Sequence, residues 1–172
     1  MSEEPKMKQI RIEKVTFNIG TGAPGDNLDK GVVLLNKITG AKTVKTKTVK
    51  RIPTWGLRPG LEIGCRVTLR GKKAHELLVQ MLKGVNNALK ASQFDNAGNL
   101  AFGIKEYLDV PGIEYDASIG IRGFEIAVTL ERPGYRVKKR VLKKAPVGKH
   151  HRITKEEAIL FMQKEFNVVV EQ

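Results

Sequence analysis

The sequence predicts an α+β fold in which helices pack on one face of a mostly antiparallel sheet and leave the other face open. Three segments carry apolar residues at every second position, which is the period of a strand with one buried side. Three others carry them at helical spacing, and Gly and Pro divide the later half of the chain into short strands. The resulting order is β-α-β-α-β-β-β-α, and its late, hairpin-like links favour antiparallel pairing.

The first half of the chain begins with residues 1–9, which are mostly polar and which we expect to be flexible. A strand is predicted from Ile10 to Gly20, followed by a loop to Gly25. Asp26 or Asn27 then caps a helix that stops at Gly40. A second strand covers residues 61–70. The helix after Gly71 has one continuous apolar stripe, made of Ala74, Leu77, Leu78, Met81, Leu82, Val85, Ala88 and Leu89.

The second half predicts short strands at residues 100–104, 118–121 and 125–130, with a turn at Val110-Pro111-Gly112. A basic extension, residues 132–153, follows the last of these strands. Thr154 and Glu157 then form a capping box that opens a final helix over residues 154–167.

The length and charge of the chain limit the classes of function that fit it. The chain has 172 residues with 41% hydrophobic content, enough for a single domain spanning 1–172 with a real core. Its formal net charge of +13 indicates a polyanionic partner. No apolar run is long enough to span a membrane, and the start lacks the apolar core of a signal peptide. A lone cysteine excludes an internal disulfide, so we expect a reducing, cytoplasmic setting.

The charge is divided into two basic segments with an acidic stretch between them. Residues 42–60 contain six Lys or Arg and no acid, and residues 132–155 contain ten and no acid. Residues 95–131 reverse the balance, with seven acids against two basic residues. This pattern indicates a nucleic-acid side and another side that is free for a protein partner.

The first basic segment is predicted to be a protruding arm carried on the strand at 61–70. Pro53, Trp55 and Pro59 restrict its backbone, so it is more than a solvated tail. The basic residues predicted to meet RNA here are Lys42, Lys45, Lys47, Lys50, Arg51 and Arg58.

The second basic segment contains Tyr135, Val137, Val141 and Leu142, an apolar alternation that predicts a ribbon. Its composition leaves open whether it contacts RNA or another protein. The side chains predicted to contact phosphates are Arg136, Lys138, Lys139, Arg140, Lys143 and Lys144.

The open sheet face offers more specific contacts. If the first two strands share a sheet, Thr16, Asn18, Arg66 and Thr68 project away from the helices. Asn and Thr can read base edges and 2′-hydroxyls, and Arg can hold phosphate. With no aromatic residue among them, shape and hydrogen bonding to a folded RNA fit better than base stacking.

Enzymatic and metal-binding interpretations are weaker. Gly20-x-Gly22-x-x-Gly25 has the spacing of a dinucleotide-binding turn, but no acidic residue follows at the required distance, so we favour a plain tight turn. Cys65 alternates with apolar residues as a buried hydrophobe does. His75, His150 and His151 lack a ligand cluster, and turn formation explains Asp109, Glu114 and Asp116. We therefore expect no catalysis, cofactor or metal.

Several long motifs resemble the ribosomal protein L-five family, the universal 5S-rRNA-binding proteins of the large ribosomal subunit. They are VTFNIGTG, KTVKRIPTWGLRPG with the following LEIGCRVTLRG, FDNAGNLAFGIKEYLDVPGIEYD and GIRGFEIAVTL. The resemblance covers most of residues 8–131, and the part after Glu131 is similar to the archaeal and eukaryotic branch. One departure is Ala41, where many bacterial members have an RNA-contacting glutamine; Lys42 is a candidate replacement.

The resemblance implies a non-enzymatic large-subunit protein that anchors 5S rRNA in the central protuberance, with Asn18 and Thr68 at matching RNA-contacting positions. It implies that the arm at 50–60 contacts peptidyl-site tRNA. It also implies contacts with large-subunit rRNA, neighbouring large-subunit proteins and, through the acidic side, a small-subunit head protein. The alternative is a free RNA-binding or RNA-chaperoning protein that uses the same basic surfaces.

Overall fold

The structure is a computed structural model that describes residues 5–171. Its strands are β1 (Arg11–Gly20), β2 (Val44–Lys47), β3 (Glu62–Leu69), β4 (Ala88–Lys90), β5 (Leu100–Ile104), β6 (Phe124–Glu131) and β7 (Val169–Glu171). Its helices are α1 (Asp26–Thr39), α2 (Gly71–Gly84), α3 (Arg136–Lys139) and α4 (Lys155–Phe166). The prediction of flexibility concerned residues 1–9, of which residues 1–4 lie outside the described residues.

Five strands form one antiparallel sheet in the order β2-β3-β1-β6-β5, and β4 pairs in parallel with β7. The predicted α+β class is therefore confirmed. β1 is the central strand of this order, and its alternate residues Val15, Phe17 and Ile19 are all buried in the core. Full burial of a side chain such as Phe17 contributes about 1.5–3 kcal/mol relative to leaving it exposed.

The first helix begins and ends at glycines. Gly25 is the N-cap and no side chain caps the helix, so the predicted cap at Asp26 or Asn27 is wrong. Both residues lie inside the first turn, where an acidic side chain such as Asp26 still favours the positive end of the helix dipole. The predicted stop at Gly40 is confirmed, because this residue is left-handed (φ 55°) and its N–H donates to the Asn36 carbonyl at 2.8 Å.

The second helix is shorter than its apolar stripe predicted. α2 ends at Gly84, and Asn86 and Asn87 adopt left-handed φ angles of 55° and 54°. A local turn therefore ends the helix, and Leu89 reaches the core from β4 instead. The predicted continuation to Leu89 is wrong because the chain turns after Gly84 and buries Leu89 through a strand, while Ala88 is exposed.

The predicted strand at residues 118–121 is also wrong. The Asp116 carboxylate accepts hydrogen bonds from the backbone N–H of Ser118 at 3.0 Å and from its hydroxyl at 2.6 Å, which closes a turn. Ile121 is exposed as a result. The predicted strands at 100–104 and 125–130 do form.

The predicted capping box opens α4. The Glu157 N–H donates to Thr154 Oγ1 at 3.4 Å, and the Thr154 N–H donates to Glu157 Oε2 at 3.0 Å. The buried Arg132 donates to the second Glu157 oxygen at 2.9 Å and to the carbonyl oxygens of Lys8 and Arg152. Arg132 therefore joins the N-terminal segment, the basic extension and α4.

Candidate nucleic-acid interface

The four polar residues predicted for the open sheet face are neighbours. The antiparallel register of β1 and β3 places Thr16 opposite Thr68 and Asn18 opposite Arg66. Their strand neighbours Phe17 and Val67 are buried, so the polar side chains lie on the face opposite to the core. The two threonine hydroxyls are 3.5 Å apart. This arrangement presents hydroxyl, amide and guanidinium groups on one rigid surface.

A carboxylate that sequence reasoning missed lies beside them. Asn18 also pairs with Glu125 of β6, and its Nδ2 donates to Glu125 Oε2 at 3.2 Å. This bond leaves the Asn18 carbonyl oxygen as a free acceptor. The Glu125 carboxylate repels phosphate and accepts from base N–H groups, so this part of the face suits base edges. The alternation of β6 had shown that Glu125 faces away from the core, but the neighbour across the sheet depends on register.

A shallow concavity of about 310 Å³ adjoins Asn18 and Glu125 at the end of the sheet. Gly20, Gly103 and Gly123 line it, so the backbone is accessible there without covering side chains. Such a surface lets a flat ring approach the sheet closely.

The start of the first basic segment is an edge strand whose charges are partly paired. Lys45 Nζ is 2.9 Å from Asp29 and 3.7 Å from Glu62, while Lys47 is 3.9 Å from Glu62. The hydrogen bond to Asp29 raises the pKa of Lys45. Because Lys45 pairs with Cys65 in the sheet, it lies on the side of the helices. Lys42, in contrast, is exposed before β2.

The rest of the arm has a defined shape. Ile52 and Leu57 exchange two backbone hydrogen bonds of 3.0 Å, which close a loop around a 3₁₀ turn at Pro53–Trp55. Leu57 is buried and anchors the loop, whereas Trp55 is 71% exposed. Three basic side chains are exposed beside it: Lys50, Arg51 and Arg58. The loop therefore presents an aromatic side chain among exposed cations, an arrangement that suits contact with a polyanion.

The second basic segment is not the predicted ribbon. It contains the short α3 and then irregular chain, with Val141 94% exposed and Leu142 82% exposed. The segment is held at its ends instead: the buried Tyr135 hydroxyl donates to the His151 carbonyl at 3.2 Å and accepts from the Ile153 N–H at 3.0 Å. The ribbon prediction is wrong because the apolar residues at 141 and 142 find no partner strand.

The basic side chains of the second basic segment differ in how available they are to a phosphate. Lys139 Nζ lies 2.7 Å from Glu13 and 2.8 Å from Glu131. Burial lowers the pKa of Lys139, but the hydrogen bonds to these two carboxylates outweigh it and raise the pKa. The Lys139 ammonium group therefore stabilises the fold and is less available to a phosphate. The other five predicted phosphate contacts are exposed: Arg136, Lys138, Arg140, Lys143 and Lys144.

The glycine-rich turn and Cys65 have structural roles. The backbone N–H groups of Thr21 and Gly22 donate to the Ile63 carbonyl at 3.0 and 3.1 Å, which ties the turn to β3. Its sheet is antiparallel, unlike that of a dinucleotide-binding fold. Cys65 is buried, and burial raises the pKa of its thiol to about 11, so it stays protonated at neutral pH.

The other titratable candidates are explained by local contacts. The His75 ring centroid lies 4.9 Å from that of Phe166. Hydrogen bonds from Ser118 hold the pKa of Asp116 low, and Lys37 contributes at 3.3 Å. Within residues 5–171, no three His, Cys, Asp or Glu side chains are grouped so as to hold a metal ion. In the same range, no helix is long and apolar enough to cross a bilayer.

These features define the class: a basic α+β protein with a polar sheet face and two cationic segments. The comparisons are more specific. The family model described as "Ribosomal protein L5" matches residues 6–58, and the model described as "ribosomal L5P family C-terminus" matches residues 62–161. The chain therefore belongs to the ribosomal protein L5 family.

Relatives match over nearly the whole chain. The large ribosomal subunit protein uL5 of Nanoarchaeum equitans is 50% identical, over 97% of this chain and 99% of the relative. That of Sulfolobus acidocaldarius is 48% identical, over 98% and 94% respectively. That of Methanosphaera stadtmanae is 41% identical, over 96% and 98%. The similarity thus includes the basic extension and α4.

Proposed function

We propose that this chain, a structural constituent of the large ribosomal subunit, binds 5S rRNA through the open face of its sheet. The relatives are named as large-subunit proteins and match it over nearly its whole length. The observation that carries the proposal is the alignment of Thr16 with Thr68 and of Asn18 with Arg66 across β1 and β3. Rigid strands position hydrogen-bonding groups without the entropy cost that a flexible loop would pay on binding.

The proposed contacts divide into two kinds. Thr16, Asn18 and Thr68 provide hydrogen bonds that depend on the identity and shape of the RNA. Arg66 and the exposed cations provide phosphate contacts that any RNA satisfies. In this proposal, Lys45, Lys47 and Lys139 contribute less than the sequence predicts, since each already faces a carboxylate.

The arm at 50–60 serves as the proposed contact with peptidyl-site tRNA. Its support is the exposure of Trp55 in a loop whose backbone is closed by hydrogen bonds. An exposed aromatic side chain on an ordered loop contributes little to the core and is available for a partner. The family resemblance supplies the identity of that partner.

The remaining partners are large-subunit rRNA, neighbouring large-subunit proteins and a small-subunit head protein. The acidic stretch supports a protein contact, because Glu106, Asp109 and Glu114 are exposed there. These carboxylates disfavour RNA and suit a basic protein surface. The proposal places the chain in the cytoplasm, on the ribosome, without a catalytic role.

A binding titration tests the 5S rRNA proposal. The purified protein is titrated with 5S rRNA and with a scrambled RNA of equal length, at low and near-physiological salt. Phosphate contacts weaken steeply with salt, whereas base and shape contacts preserve the preference. A retained preference for 5S rRNA supports the proposal. Equal affinities that fall together would favour the free RNA-binding or RNA-chaperoning alternative.

A further inference from the structure

A groove that we call the extension groove separates the turn at residues 95–99 from the basic extension. It encloses about 470 Å³, within the roughly 300–1,000 Å³ range of small-molecule sites. β5 pairs with β6 only as far as Leu100 and Val128, so the end of β6 opens into this space. The residues that matter for its chemistry are Asn96, Asn99, Lys138, Pro146, Val147 and Arg152.

The turn side of the groove is rigid and rich in amides. Asp95 Oδ1 accepts from the backbone N–H groups of Ala97 and Asn99 at 2.9 and 2.7 Å. Asp95 Oδ2 accepts from Asn99 Nδ2 at 2.7 Å, which leaves the Asn99 carbonyl oxygen as an acceptor. Within the described part of the chain, the Asn96 side chain makes no hydrogen bond. The turn thus offers both donors and acceptors to a bound group.

The extension side supplies two cations and an apolar wall. Lys138 Nζ lies 4.7 Å from the centroid of the Tyr135 ring. Arg152 Nε donates to the Val147 carbonyl at 3.1 Å, which leaves its terminal nitrogens for a ligand. Among residues 5–171, no carboxylate lines the groove or pairs with either cation. Pro146 and Val147 provide the apolar surface.

The two sides are held together by close packing. A Cβ atom at Gly98 would lie 2.5 Å from Ile153 Cγ2, so the turn contacts the segment just before α4 without intervening space. Arg132 and Tyr135 tie the same segment to the sheet through their hydrogen bonds. The groove is therefore formed before any ligand arrives.

We propose that the extension groove binds one unstacked nucleotide of ribosomal RNA. Lys138 and Arg152 hold the phosphate, Pro146 and Val147 contact the base, and the amides of Asn96 and Asn99 hydrogen-bond to its edge. The inference rests on the proposed RNA-binding function and assigns the extension to RNA, not to a protein. An acidic protein side chain would satisfy the two cations but would leave the amides and the apolar wall unused.

The first test is an NMR titration of the full chain with each of the four nucleoside monophosphates, beside inorganic phosphate and the corresponding nucleosides. A nucleotide is expected to shift the resonances of Asn96, Asn99, Lys138 and Arg152 in a saturable way. Inorganic phosphate is expected to bind about tenfold more weakly, because it lacks the base contacts. The proposal would be overturned if inorganic phosphate bound with the same affinity as every nucleotide. It would also be overturned if the resonance shifts were spread over the whole basic surface.

Two substitutions sharpen this test. Lys138→Ala and Asn96→Ala are each expected to weaken nucleotide binding by about five- to tenfold, and both leave the core intact. Lys144→Ala is the matched control, because it removes one exposed charge from the same extension outside the groove. Equal weakening by Lys138→Ala and Lys144→Ala would show that diffuse charge alone binds the nucleotide, and the proposal would fall.

The second test places the full chain in assembled large subunits. After ultraviolet irradiation, peptides containing residues 96–99 or 146–152 are expected to carry a nucleotide adduct. A lysine-reactive cross-link from Lys138 to another protein, with no RNA adduct, would overturn the assignment. Failure of the 5S rRNA proposal is recognised separately, because the mononucleotide titration uses no 5S rRNA.

Discussion

Asn18→Ala tests the proposed sheet-face contact most directly. Asn18 lies at the centre of the polar face, between Arg66 and Glu125 on the neighbouring strands. The substitution removes an amide that can read a base edge, while Cβ and the strand remain. Loss of one such contact costs about 1–3 kcal/mol, which corresponds to a roughly 5- to 150-fold increase in the Kd for 5S rRNA.

The fold is expected to tolerate the change. The only side-chain bond that Asn18 makes within the described chain is the exposed one to Glu125, at 3.2 Å. Such a bond contributes at most about 0.5–1.5 kcal/mol, and less at an exposed position. The buried neighbours Phe17 and Ile19 still hold β1 in the core. The Tm is therefore expected to shift by only a few degrees.

The assay compares the wild-type protein with Asn18→Ala on 5S rRNA and on the scrambled RNA, at two salt concentrations. The expected result is a weaker affinity for 5S rRNA with an unchanged affinity for the scrambled RNA. Lys144→Ala is the control, because it removes a phosphate contact and is expected to weaken both RNAs alike. An equal loss on both RNAs after Asn18→Ala would refute the base-reading role, and so would no loss on 5S rRNA.

Four further predictions concern the face, the arm and the fold. At low salt, Glu125→Gln is expected to weaken 5S rRNA binding less than Asn18→Ala does. It is also expected to raise the affinity for the scrambled RNA, since it removes a charge that repels phosphate. A lower affinity for both RNAs would contradict this prediction. Trp55→Ala is expected to change unfolding by less than about 0.5 kcal/mol and to leave the Kd for 5S rRNA unchanged, but to weaken tRNA binding to ribosomes; a lost fold would show that Trp55 is structural. Gly98→Ala is expected to lower the free energy of urea unfolding by about 1–3 kcal/mol, because the φ of Gly98 is +77° and the added Cβ meets Ile153. Gly20→Ala is the control, and it is expected to be near neutral because no atom lies near the added Cβ. Burial raises the pKa of Glu157, but the hydrogen bonds from Thr154 and Arg132 outweigh burial and lower the pKa. The stability that Glu157 contributes is therefore present above the unfolded pKa of about 4.3 and is lost as the pH falls through the folded pKa. Glu157→Gln is expected to flatten this loss of unfolding free energy at acid pH, and an unchanged pH profile of stability would exclude the effect.

Local patterns in the sequence were enough to predict most of the helices and strands. Alternation identified β1, β3 and β6, because a strand with one buried face must repeat every two residues. Gly40 and the Thr154–Glu157 capping box marked helix ends through hydrogen bonds between residues close in sequence. Alternation in β1 and β3 also showed which polar residues share a face. These features depend on neighbours a few positions away, so the sequence contains them directly.

Other features depended on partners far along the chain. Residues 118–121 and 141–142 have strand-like composition, but no strand is available to pair with them, so they form a turn and an exposed loop. β4, in the middle of the chain, becomes a strand only because β7, near its C-terminal end, lies beside it. An isolated short strand cannot satisfy its backbone groups, so pairing and not propensity decides these segments.

The same division applies to the surface. The residue pattern predicts an α+β protein with a polar sheet face, an aromatic arm and a cationic extension. The folded chain was needed to show that Glu125 reaches Asn18, that Lys45 and Lys139 are already paired with carboxylates, and that the extension encloses a groove. The physical reason is that charge and polarity belong to single residues, whereas their availability to a partner depends on distances across the folded chain.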